Sequence, residues 1–170
     1  MRTIEAQPIG AAAFAAYGAL IDPDSTPPER INDATTLRHS DLVSLDVRAP
    51  DRDPVLGIYV AQARRFPLRI AKLECHRQAA QVFIALGAHR FVVVVAPGGD
   101  APDWSRVQAF LTAPGQGVSL KRGCWHHGLI ALGDGHRFAV IEGGNYRNDT
   151  TESAAPEPID LEVVACCGNS

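Results

Sequence analysis

Two short stretches hold most of the residues in this chain that can do chemistry: Lys72-Leu73-Glu74-Cys75-His76 followed by Gln81, and Gly123-Cys124-Trp125-His126-His127. Side chains two apart on an extended strand share a face, which groups Ile70, Lys72, Glu74 and His76. A carboxylate beside an imidazole can act as an acid–base pair or, with further donors, as a metal site. Glu74, His76 and His126 would supply carboxylate and imidazole ligands from neighbouring strands, and Gln81 a neutral oxygen that holds a cation less tightly than a carboxylate. The same four residues are the candidates for catalysis. A half-exposed strand ending in a polar turn would also contain Glu74 and His76, so the pattern by itself fits a reaction site and a polar edge equally.

Adjacent imidazoles on a strand point to opposite faces, so His126 and His127 do not readily serve together as ligands. The turn at Gly123 favours His126 inward, which leaves His127 behind the ligands or on the surface, in reach of a substrate. Trp125 reads as packing or as a platform for substrate. Lys72 binds a substrate carboxylate or pairs with Glu74. Cys75 lies beside His76 in sequence, but alternation turns the thiol away from the imidazole, against a thiolate nucleophile. Dinucleotide and P-loop glycine patterns are missing, and Ser105 and Ser119 lack a nucleophile-elbow context.

Short strands with Gly and Pro punctuation are what must position these residues. Alternation or apolar runs predict strands at 42–47, 55–60, 68–76, 81–86, 90–95, 107–111, 118–121, 127–132 and 137–142. The four valines of Val92-Val93-Val94-Val95 suit a strand buried on both faces. An alanine-rich helix is predicted over 9–17, with Phe14 and Tyr17 on one face and Gly18 as its C-cap. Residues 31–42 form a loop or edge segment. The tail from 145 ends in a short edge strand at 159–164 or wraps a neighbour. Regular short strands argue an all-β barrel or sandwich.

A length of 170 residues suits one domain with one sizeable core. Charged residues at 21% and a net charge of −3 leave no broad basic field for nucleic acid or anionic lipid, which makes a small molecule the expected partner. Residues 1–10 lack the apolar core of a signal peptide, and no run is long enough to span a membrane, so a cytoplasmic protein is expected. The four cysteines form no zinc-type spacing, reduced thiols are expected, and Cys166-Cys167 sit in a frayed terminus.

Glu74-x-His76-x4-Gln81 and Gly123-x-x-His126 resemble the paired histidine motifs of the cupin superfamily, with glutamate in place of the usual first histidine and glutamine in place of the usual glutamate. A closer resemblance is to the ureidoglycolate lyase family. It runs through Phe14-Ala15-Ala16-Tyr17-Gly18, Ile31-Asn32, Arg38, Asp41-Leu42, Leu73-Glu74-x-His76, Gln81-x-Phe83-Ile84, 91–96, Ala109-Phe110, Gln116-Gly117-Val118 and Trp125-His126-His127. The resemblance implies a cupin-type, jelly-roll-like β-barrel with a short N-terminal helix, a homodimer, and cleavage of ureidoglycolate to glyoxylate and urea in allantoin degradation. A divalent metal, nickel in this family, would be held by His76, His126, Glu74 and Gln81. Asn32, Arg38 or Lys72 would anchor the substrate carboxylate.

The chain departs from the family pattern at Cys75 and Arg77-Gln78-Ala79-Ala80, at Val60-Ala61 and at Glu142-Gly143-Gly144, where arginines are usual. Fewer guanidiniums around a site for a carboxylate bear on the substrate rather than the fold. They keep two other readings in view: a related cupin enzyme acting on another small hydroxy or keto acid, and a non-catalytic barrel that binds a small acid.

Overall fold

The computed structural model describes residues 2–164. In chain order the strands are β1 (Arg2–Glu5), β2 (Gln7–Pro8), β3 (Gly18–Ile21), β4 (Glu29–Ile31), β5 (Thr36–Arg38), β6 (Pro54–Ala61), β7 (Leu68–His76) and β8 (Gln81–Ala85). They continue as β9 (Phe91–Ala96), β10 (Gln108–Leu111), β11 (Gly117–Leu120), β12 (Trp125–His126), β13 (Ile130–Ala131), β14 (His136–Gly143) and β15 (Thr150–Glu162). Two one-turn helices, α1 (Ala11–Phe14) and α2 (Tyr146–Asp149), interrupt them. The fold is all-β, a nearly closed cupin-like barrel.

One sheet runs β1-β15-β7-β12-β9-β10-β2, with β13 also on β9; the other runs β3-β11-β8-β14-β6; β4 and β5 form a separate hairpin. Alternation on β9 sends Val93 and Val95 into the core between the sheets, with Phe83, Val118, Phe138 and Val140 of the second sheet. Val92, Val94 and Ala96 point the other way, into a second core with Leu73, Cys75, Trp125 and Ile130. The valine run is thus buried on both faces, as its composition predicts.

The N-terminal helix is shorter than its alanine content suggests. Phe14 is fully buried edge-on against Phe110, with ring centroids 5.6 Å apart, and Tyr17 packs on the same ring. Holding both aromatics there ends the helix at Phe14, because the chain must pass at once into β3. Gly18 is therefore no helix cap. It pairs with Leu120, and a Cβ at this position would lie 2.0 Å from the Ser119 carbonyl oxygen.

Three further segments differ from the pattern. Residues 42–47 pair with no strand and instead form an extended strap, in which Val47 packs on Ala80 and Val82 and the Asp46 carbonyl accepts the Ala80 N–H at 2.8 Å. Arg122 grips the Asp46 carboxylate with two bonds of 2.6 Å. The predicted strand over 127–132 is split: His127 and Gly128 make a turn between β12 and β13. The C-terminal strand is neither short nor an edge, since β15 fills the space between β1 and β7 over 13 residues. Cys166 and Cys167 lie outside the described residues.

The strand that carries Glu74 and His76 changes parity midway. Leu68 and Ile70 are buried in the same core as Leu73 and Cys75, whereas the intervening Ala71 and Lys72 are both exposed. The shift lies opposite the register break of β15 between Ala154 and Ile159. Ile70 therefore does not share a face with Glu74 and His76, as simple alternation from Glu74 would have it.

Candidate active site and metal centre

Glu74 and His76 come from the last residues of β7, and His126 pairs directly across from Glu74 on β12. Gly123 makes the turn that delivers His126: its φ is 73°, in the left-handed region, and its N–H donates to the His76 carbonyl at 2.7 Å. Gln81 begins β8 on the face of Phe83, and Glu142 lies next to last in β14 on the face of Phe138 and Val140. The cluster thus joins both sheets. Glu74, His76 and His126 each place one donor atom within 4.8 Å of the others.

Donors and acceptors in this cluster do not balance. His126 Nδ1 lies 3.0 Å from the Cys124 carbonyl and must carry a proton to bond it. Gln81 Nε2 donates to Glu142 Oε2 at 2.8 Å, so the Gln81 end facing His126 Nε2 at 3.0 Å is its oxygen. Glu74 Oε1 lies 3.5 Å from the same Nε2. On the neutral ring that nitrogen is a lone pair, so three acceptors converge. Only a proton on Nε2 or a cation among them satisfies the set.

His76 adds a fourth lone pair. Thr150 Oγ1 donates to the Tyr146 carbonyl at 2.9 Å and so accepts from His76 Nδ1–H at 3.4 Å. That fixes His76 Nε2 as the unprotonated nitrogen, and it is buried without a partner among the described residues. Burial, followed by the neighbouring His126, holds the His76 pKa below the usual imidazole value. The Glu74 carboxyl is held below its usual range, chiefly by His126, which donates to it whenever Nε2 carries a proton, and against the opposing effect of burial. A neutral imidazole, an ionised carboxylate and a carbonyl oxygen aimed together form a donor set that fits a divalent cation.

Behind the cluster, Tyr59 OH donates to Glu142 Oε1 at 3.2 Å, and burial with the Glu142 charge pushes the Tyr59 pKa up to about 12. Neither Glu142 nor Tyr59 is among the candidates from sequence. The signal for Glu142 is parity, since it follows Phe138 and Val140 on the inward face of β14. Asp149 is a further omission. Buried at the end of α2, it accepts the N–H groups of Arg77 and Gln78 at 3.0 and 2.8 Å, pinning the turn between His76 and Gln81.

The remaining candidates divide. Lys72 and His127 line a cleft of about 120 Å³ with Leu73, Glu74 and Gly128. Lys72 pairs with Glu152 at 2.5 Å rather than with Glu74. His127 donates Nδ1–H to the Gly128 carbonyl at 2.9 Å, and burial lowers its pKa. Trp125 turns to the opposite face, buried in the outer core with its Nε1–H on the Gly99 carbonyl. Arg38 is tied to Glu29 across the β4–β5 hairpin, and Asn32 sits in its turn at φ 52°; no hydrogen bond or ion pair joins either to the cluster among the described residues. Cys75 faces the outer core and Cys124 is buried; burial raises both thiol pKa values, Cys124 to about 12. Neither is an activated nucleophile.

Comparison with known proteins agrees over almost the whole length. The chain is 37% identical over 161 residues to a ureidoglycolate lyase of Burkholderia mallei, covering 95% of this chain and 94% of that one. It is 39% identical over 142 residues to a ureidoglycolate lyase of Azotobacter vinelandii, covering 84% and 86%, and 36% identical over 152 residues to one of Pseudomonas syringae pv. tomato, covering 89% of each. The sequence model of ureidoglycolate lyase matches residues 1–162, and with these relatives it establishes that the chain belongs to the ureidoglycolate lyase family.

Proposed function

We propose that the protein is a ureidoglycolate lyase, cleaving ureidoglycolate to glyoxylate and urea, with Glu74, His76, Gln81 and His126 as its reaction centre. The observation that carries this reading is the convergence of acceptor atoms on one inward-facing point, with His76 Nε2 buried and unpartnered, in a chain of that family. The substrate bears a hydroxyl and a urea nitrogen on one carbon. His76 Nε2 accepts the hydroxyl proton, the C–O bond becomes a carbonyl as the C–N bond breaks, and the proton returns to the departing nitrogen. Glu74 stabilises the imidazolium that forms in between. Lys72 and His127 border the opening and take the substrate carboxylate.

The same four donors would hold a divalent cation, nickel by the family resemblance. Bound there, it would supply Lewis-acid polarisation of the substrate's oxygens. With His76 then a ligand, His127 is the other neutral imidazole at the opening, its Nε2 left free by the Nδ1–H bond to Gly128. Glyoxylate release from ureidoglycolate by the purified protein is the test. Absence of turnover with nickel, manganese and zinc each added would sink the reading, as would full activity in both His76→Ala and His126→Ala.

We also propose a cytoplasmic homodimer acting in allantoin and purine nitrogen breakdown. Cys75 and Cys124 are buried and unpaired among the described residues, which suits a reducing compartment. Among the described residues no helix is long and apolar enough to cross a membrane. Strand β6 ends its sheet, and its outward row of Leu56, Ile58 and Val60 is exposed at 67%, 52% and 58%. A long apolar edge invites pairing, and a second copy would cover it. Light scattering after size exclusion should give a dimer, and Ile58→Glu a monomer; a monomeric native protein would overturn the assembly.

A further inference from the structure

The Gln81 amide is nearly symmetric in shape and opposite in chemistry at its two ends, so something must decide which end faces His126. We propose that Glu142 is a positioning residue that makes this choice, holding the Gln81 nitrogen so that the amide oxygen is presented to His126 and Glu74. The proposal rests on the reading above only in that the presented oxygen would be a cation ligand.

Glu142 is 5% exposed and has two polar partners, Tyr59 OH on Oε1 and Gln81 Nε2 on Oε2. An ionised carboxylate can only accept, and Tyr59 fills one oxygen, so the other demands a donor from Gln81. Turning the amide over would set its oxygen against Glu142 Oε2 at the present 2.8 Å and point its NH₂ at His126 Nε2. That nitrogen would then have a donor, Glu74 would no longer share an acceptor-only cluster, and the pull on a cation would drop. The inward-facing carboxylate at the end of β14 thus converts an ambiguous amide into a dedicated oxygen donor. Its effect passes through Gln81 and not through contact with substrate.

Glu142→Gln isolates this role. The substituted side chain keeps the size and can still accept from Tyr59, but its NH₂ can donate to the Gln81 oxygen and so release the bias. Isothermal titration of chelator-stripped protein with Ni²⁺ should show affinity lower by about 10–100-fold, the range for groups that orient a metal ligand. The double variant Glu142→Gln with Gln81→Glu should regain it, because a carboxylate at position 81 has no wrong end: one oxygen accepts from the amide introduced on β14 and the other faces His126. A residue that merely packs would give no loss in Glu142→Gln to recover; because a carboxylate at position 81 also holds a cation more tightly than an amide, the affinity lost in the single variant and the turned amide decide the matter. Neutron diffraction from deuterated, metal-free crystals reads the orientation itself, with the Gln81 deuterons toward Glu142 in the native protein and toward His126 in Glu142→Gln. A Ni²⁺ affinity within about twofold of native in Glu142→Gln, a double variant as weak as the single, or an amide that does not turn would each overturn the proposal. Native protein that takes up no Ni²⁺, Mn²⁺ or Zn²⁺ while its amide is oriented as described would sink the cation reading and leave the positioning role standing.

Discussion

Removing the Asp149 carboxylate should cost the protein a large share of its stability and its site together. Asp149 is 7% exposed and accepts two backbone N–H groups, from Arg77 at 3.0 Å and Gln78 at 2.8 Å. Hydrogen bonds to a charged acceptor contribute roughly 1.5–3 kcal/mol each, giving about 3–6 kcal/mol for the pair. Water entering the space left by Asp149→Ala restores part of this, so the expected net loss is about 2–4 kcal/mol. That is a substantial fraction of the roughly 5–15 kcal/mol typical of a folded domain. In urea, with m of about 2 kcal/mol/M, the midpoint should fall by about 1–2 M at unchanged m. Asp149→Asn retains one acceptor but sets an NH₂ against the other N–H, and should lose at least about 1 kcal/mol. Activity should drop below what the unfolded fraction explains, because the pinned turn joins His76 to Gln81. A midpoint shift worth less than about 0.5 kcal/mol in Asp149→Ala would refute the reasoning.

Stability should also fall on acidification below about pH 6.5. His76 and His127 have native pKa values depressed from 6.5 by burial; between the two values the unfolded chain binds more protons, so stability is lost as pH drops and levels off once the native groups protonate. Urea midpoints compared at about pH 8 and pH 5.5 check this, and a higher midpoint in acid would contradict it. Lys72→Met should raise KM several-fold with little change in kcat if Lys72 only binds the substrate carboxylate. Its ion pair with Glu152 is exposed and screened by solvent, so the urea midpoint of this variant should stay close to native.

Much of this architecture is written in local patterns. The strand boundaries around 54–61, 68–76, 81–85, 91–96 and 136–143 follow alternation or valine content, and Glu74, His76, Gln81 and His126 do converge. What local pattern misses is long-range. Nothing near Ala71 and Lys72 signals a parity change, because its cause is the register break in a partner strand some distance along the chain. Nothing in residues 42–47 distinguishes a strand from a strap; the difference is whether a neighbouring strand is available. Arg38 has the chemistry of a carboxylate anchor, but the hairpin supplies it with Glu29. Glu142 and Asp149 matter through the groups they hold, and those partners lie 61 and 72 positions away.

The acceptor cluster has a cost of its own. A fold optimised only to persist would not bury three lone-pair donors facing one another between two sheets; apolar side chains of similar volume at 81 and 126 would join β8 to β12 without that repulsion. Selection of this protein for heat resistance with no demand for turnover should therefore reach the reaction centre early, and the most durable descendants would be barrels that have closed over their own chemistry.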